Sequence, residues 1–97
     1  MTDPVIVEKE MGLTHAEFLR VIGMAMAGRP YSRTGNGVRI AEDGRTLAIT
    51  LGPEGERRIA LLTLPVTRVR LAFHGYGEAE TAETLAWFDR WFQRGGG

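Results

Sequence analysis

Between Gly37 and His74 four short runs alternate apolar with polar residues and are separated by turn-sized gaps, and a chain patterned this way is constrained to form a sheet. Successive side chains of a strand point to opposite sides, so each run divides its residues between two faces. Val38, Ile40, Leu47, Ile49, Leu51, Ile59, Leu61, Val69, Leu71 and Phe73 fall on one face, which reads as the core. The other face carries Arg39, Thr46, Ala48, Thr50, Arg58, Ala60, Leu62, Arg68, Arg70, Ala72 and His74, mixing arginines with small and apolar groups.

The flanking segments supply the remaining elements. Residues 5–11, "VIVEKEM", follow Pro4 and read as a first strand. Thr14 to Glu17 has the Thr-x-x-Glu form of a capping box, and Phe18, Val21, Ile22 and Ala25 recur at steps of three and four, so a helix starts at Thr14 and packs on the sheet. Gly28 suits the left-handed residue that ends a helix, and Pro30 cannot continue one. "YSRTGNG" at 31–37 reads as a polar connection. The pattern predicts three reversals: Asp43-Gly44 in a tight hairpin, "GPEG" at 52–55, and Pro65, with "HGYG" at 74–77 ending the last strand. A second helix is expected over about 79–93, with Glu78, Glu80 and Glu83 near its positive end and Arg90 and Arg94 near its negative end. Leu85, Phe88 and Phe92 form its apolar stripe, which Trp87 and Trp91 widen, and the closing glycines 95–97 read as a disordered tail.

The predicted class is therefore α+β, an antiparallel sheet, curved, with two helices on one face, in the order β-α-β-β-β-β-α. That order resembles one half of the TATA-binding-protein-like fold, a topology shared by unrelated nucleic-acid and small-ligand binders. The resemblance covers the element order of nearly the whole chain and no sequence motif, so it transfers neither residues nor function.

The chain of 97 residues is the size of one domain, and its 43% hydrophobic and 25% charged residues are ordinary for a globular protein. A formal net charge of zero gives no global field toward nucleic acid or an anionic membrane, so an electrostatic partner must be met by a local patch. Lys9 is the only lysine among twelve basic residues, a bias that a GC-rich bacterial genome produces without selection for function. The absence of cysteine excludes disulfides, thiolate nucleophiles and cysteine-ligated metals. Nothing reads as a signal peptide or a membrane span, which makes a cytoplasmic location the expectation.

The arginine-bearing face is the first candidate for function. Arg68 and Arg70 project from one side of one strand, and Arg39 and Arg58 join them if the registers hold. Ala48, Ala60, Leu62 and Ala72 lie between them as a smooth patch, and "IALLTL" is apolar on both sides, so a partner is expected to cover this face. Trp87 and Trp91 offer a further interface edge, although packing is the commoner use of tryptophan at helical spacing. His15 reads as structural. His74, at a strand end beside the arginines, is the better functional histidine, and Glu78 across the turn could orient it as a general base. No metal-ligand spacing, paired catalytic carboxylates or phosphate loop is present, "SRTGNG" included, and no cofactor is implied.

These residues favour a small non-catalytic binding or assembly protein that self-associates, as a dimer, through its open sheet face. The alternative from another class is nucleic-acid or anionic-ligand binding by Arg39, Arg58, Arg68 and Arg70. A small enzyme using His74 ranks third, for want of a nucleophile.

Overall fold

The computed structural model describes residues 4–96, with side chains through Phe92. Its elements are β1 (Val5–Met11), α1 (His15–Met26), β2 (Ser32–Thr34), β3 (Gly37–Glu42), β4 (Arg45–Ile59), β5 (Leu62–His74) and α2 (Glu78–Gly96). The five strands form one antiparallel sheet in the order β1-β5-β4-β3-β2. The fold is α+β, in the element order expected, although one strand of that order is a different piece of chain.

Local chemistry sets the helix starts. At α1 the Thr14 hydroxyl accepts the Glu17 amide and the Glu17 carboxylate accepts the Thr14 amide, the reciprocal box that satisfies two otherwise orphaned donors. At α2 the Gly77 amide donates to Glu80 Oε1 at 2.7 Å, and the Thr81 hydroxyl donates back to the Gly77 carbonyl at 2.9 Å. α2 takes in Gly95 and Gly96, two of the glycines expected in a disordered tail, while Gly97 lies outside the described residues.

Both helices cover one face. Phe18, Ile22 and Met26 of α1 and Phe88 and Phe92 of α2 bury themselves against Val38, Ile40, Leu47, Ile49, Leu51, Val69, Leu71 and Phe73. Stacking of Phe92 on Phe18 at 4.8 Å and on Phe88 at 4.4 Å joins the helices, and a Lys9–Asp89 ion pair at 3.1 Å ties β1 to α2. The Asp43-Gly44 hairpin is as expected: Glu42 pairs with Arg45, and both central residues have positive φ, 51° and 77°. The polar connection at 31–37 is itself a small hairpin, because Ser32–Thr34 pairs with Gly37–Arg39.

The second and third expected reversals do not exist. Leu51 pairs with Val69 and Glu54 with Thr67, so Gly52 and Pro53 together oppose Arg68 as a β-bulge, and β4 continues. Pro65 lies inside β5 opposite Glu56, beyond the last pair of β1 with β5 at Met11–Thr67. There β5 has a neighbour on one side only, the setting in which a sheet tolerates proline. The chain turns at Ala60-Leu61 instead, between Ile59 and Leu62, with Ala60 left-handed at φ 54°. Five residue pairs, about 17 Å of ribbon at ~3.3 Å per residue, thus project past the body as an arm, and the molecule measures 48 × 28 × 25 Å.

Candidate functional site

The bulge changes which residues share a face. Above it, alternation sends Leu47, Ile49 and Leu51 to the core and Thr46, Ala48 and Thr50 to the open side. Two residues opposing one reverse that parity, so past the bulge Gly55, Arg57 and Ile59 lie on the open side, with Val66, Leu64 and Leu62 opposite them. Arg58 pairs with Thr63 on the other side, beside Glu54 and Glu56. It does not join Arg39, Arg68 and Arg70, and Arg57 takes the place expected for it. Ala60 belongs to the turn, and Ile59 and Leu61, expected in the core, are exposed.

The arm is consequently amphipathic. Its open side carries Ile59, Leu62 and Leu64 at 52%, 63% and 41% exposure, and Leu61 at the tip is fully exposed. Its reverse side carries Glu54, Glu56, Arg58 and Thr63. The same side continues past Arg57, Arg68 and Arg70 into the open sheet face, where Ile6, Ala72, Ala48 and Arg39 stand side by side across four strands. Strand pairing also places two carboxylates that the sequence did not associate with the arginines: Glu8 opposite Arg70 and Glu10 opposite Arg68. Glu10 in addition forms an ion pair with Arg57, linking β1 to the arm. The face therefore alternates in sign, and Arg39, paired with Ser32 on one side and Ala48 on the other, has no carboxylate opposite it.

Three contacts fix the arm's base to the start of α1. His15 Nε2 donates to the Gly52 carbonyl at 2.6 Å, which sets the tautomer, and the His15 amide donates to Glu54 Oε1 at 2.6 Å. The buried Thr67 hydroxyl donates to the Leu13 carbonyl at 2.8 Å. His15 is thus engaged structurally, at the bulge. His74 is exposed on the open face opposite Thr46, and among the described residues neither a hydrogen bond nor an ion pair joins it to Glu78, so the expected acid–base pairing is not formed.

A second concavity lies on the helix side, between α2 and the β3–β4 hairpin. It is a cleft of about 220 Å³ with Ile40 and Leu47 at its floor, Tyr76 and Trp87 on its walls, and Arg29, Glu42, Arg45 and Glu83 around it. Arg45 pairs with Glu80, lies 3.8 Å from Asp43, and stands over the Tyr76 ring at 5.3 Å from its centroid; Arg29 pairs with Glu42. Burial pushes the Tyr76 phenol above the ordinary tyrosine value, with Arg45 opposing the shift. The Gly77 amide, followed by Arg45, holds the Glu80 carboxyl below the ordinary glutamate range, partial desolvation working the other way. No local motif announced this cleft, because its walls come from separate segments that only the folded sheet brings together. Of the two tryptophans, Trp87 is half-buried in its wall and Trp91 is exposed.

Among the described residues no group of three or more histidines and carboxylates could hold a metal ion, and no helix is long and apolar enough to cross a membrane. No family model, no curated protein and no solved structure matches this chain, so the reading of its function rests on these surfaces alone.

Proposed function

We propose that the protein is a small non-catalytic assembly or binding protein that self-associates, two copies meeting through the open sheet face and the apolar side of the β4–β5 arm. The observation that carries this reading is the one-sidedness of the arm. Ile59, Leu62 and Leu64 share one side, with Arg57 its single charge, while Glu54, Glu56 and Arg58 take the other, the pattern of a ribbon with one face covered.

A second copy suits that face for two reasons. Alternating Glu8, Arg70, Glu10 and Arg68 make it self-complementary under a two-fold axis, and the zero net charge leaves no long-range repulsion between copies. Magnitude decides how much surface must take part. Fully burying a leucine or isoleucine contributes about 1.5–3 kcal/mol, and these side chains start half-covered, so the six in a dimer give roughly 5–9 kcal/mol. Association costs about 4–15 kcal/mol in lost freedom, so the arm alone is marginal and the adjoining sheet face contributes the rest.

The test is the mass in solution by light scattering after size exclusion, at moderate and high salt. The expected result is twice the 10.7 kDa of one chain, persisting at high salt. Leu62→Lys should give the monomer with an unchanged circular dichroism spectrum, while Thr63→Lys, on the reverse side of the arm, should leave the dimer intact. A wild-type monomer at every concentration, or a Leu62→Lys variant that keeps the dimer mass, overturns the reading. A monomer would turn attention to the alternative, anionic ligands or nucleic acid met by Arg39, Arg57, Arg68 and Arg70. Neutral net charge and the interleaved glutamates weigh against that alternative.

A further inference from the structure

We infer that the cleft between α2 and the β3–β4 hairpin binds a small organic cation, an alkylammonium or alkylguanidinium group, over the Trp87 indole with its charge against Glu83. The size comes first. The cleft's 220 Å³ lies below the roughly 300–1,000 Å³ of sites that bury a drug-sized ligand, which suits a short chain and its headgroup.

The sign of the ligand follows from the charges already present. Arg29 and Arg45 each have a carboxylate partner, in Glu42 and Glu80, and Asp43 adds a second to Arg45. Glu83 lines the cleft and has no ion-pair partner among the described residues. Two carboxylates and two guanidiniums line the cleft, but both guanidiniums are already paired, Arg45 by Glu80 and Asp43 from outside the lining, so Glu83 is the charge left over. An anion would have to displace a carboxylate from an arginine, whereas a cation completes the balance.

The aromatic walls point the same way. Tyr76 already holds a cation, the guanidinium of Arg45, over its ring. Trp87 is the stronger aromatic for this contact, and no arginine or lysine lies over it among the described residues. Glu83 and Trp87 are four apart on α2, hence neighbours on one helix face, and both line the cleft. A carboxylate one turn from an indole face, above an apolar floor of Ile40 and Leu47, holds the headgroup and the alkyl chain of one small molecule.

The chain has two tryptophans, so Trp91→Phe leaves Trp87 as the only indole reporter. Titrating that variant with n-butylguanidinium and n-butylammonium should give a saturable change in tryptophan emission, and n-butyrate should give none. Glu83→Gln, an exposed change that does not touch the core, should weaken the cations about tenfold. The inference is overturned by no saturable response below about 10 mM of either cation, by butyrate binding equally well, or by an indifferent Glu83→Gln. A blocked tripeptide carrying one arginine separates the two sources of such a cation. Binding as tight as butylguanidinium assigns the cleft to a protein side chain, and a response to the free cations alone assigns it to a small molecule; either result supports the site.

Discussion

β4 and β5 form one continuous ribbon, from Thr46–His74 at one end to Ile59–Leu62 at the other, and its two halves live in different surroundings. In the body half the ribbon has β3 on one flank, β1 on the other and two helices across its face, so Leu47, Ile49, Val69 and Leu71 are fully buried. In the arm half, beyond the Glu54–Thr67 pair that follows the bulge, the same two strands have only each other, and comparable side chains, Ile59, Leu62 and Leu64, face water. Strand pairing is alike in both. Hydrophobic residues in a strand therefore do not by themselves say what covers them, and a leucine means something different at either end of β5.

The largest way to break this comparison is to cut the same side chain at both ends. Leu71→Ala removes a fully buried group and should cost about 2–5 kcal/mol in denaturant unfolding. Leu62→Ala, measured in the dissociated monomer, should stay within about 0.5 kcal/mol of wild type. A Leu62 cost approaching that of Leu71 would mean that the arm folds back on its own body, and the distinction between the halves would be lost.

Legibility from sequence divides along the same line. Every body residue assigned to the core, from Val38 to Leu51 and from Val69 to Phe73, is buried, because there the alternation meets helices that the capping box and the aromatic spacing also announce. The arm was misread for physical reasons. Two glycines flanking a proline look like a reversal and are a bulge, and Pro65 looks like a turn and sits on a locally unpaired edge. The true turn, Ala60-Leu61, contains no residue that prefers one. The bulge then moved Arg58 off the arginine face and put Arg57 on it, a one-residue change in parity that no propensity records. Glu8 and Glu10 were legible as residues and not as neighbours of Arg70 and Arg68, since that depends on β1 pairing with β5 across most of the chain. The cleft was illegible for the same reason of distance.

The junction between the halves is the next place to press. His15→Ala removes the bond from Nε2 to the Gly52 carbonyl and keeps the backbone bond to Glu54, so the expected cost is about 1 kcal/mol. If the bulge is where body and arm meet, the loss should appear first as faster amide exchange around Gly52–Gly55, ahead of the core amides of Leu47–Leu51. A uniform acceleration across β4 would mean that the ribbon opens as one unit. At the far end of the arm, Ala60→Gly tests the turn. Left-handed backbone costs a non-glycine residue about 1–2 kcal/mol, and glycine's extra freedom in the unfolded chain offsets about 0.4–1 kcal/mol of the relief. The net gain, roughly half to one kcal/mol, should slow exchange at Ile59 and Leu62 while the body's melting temperature stays put.

The smallest expected effect sits at the opposite end of the ribbon, where Arg45 opens β4 and pairs with Glu80. Glu80 is held below the ordinary glutamate range mainly by the Gly77 amide and then by Arg45. A carboxyl whose folded value is depressed stabilises the fold above its unfolded value, and that contribution fades as pH falls through the folded value. Glu80→Gln should thus melt slightly below wild type near neutrality, and the two curves should converge on acidification past the glutamate range. Because Glu80 is solvent-exposed, salt should shrink the gap as well. A gap that persists unchanged at low pH would assign the loss to the geometry of the α2 cap, which glutamine also disturbs, and would remove charge from what anchors the body end of the ribbon. Convergence would mean that this end is pinned partly by an ion pair and an amide, whereas the described ion pairs and side-chain hydrogen bonds of the arm, at Glu54 and Arg57, stop short of its turn at Ala60-Leu61.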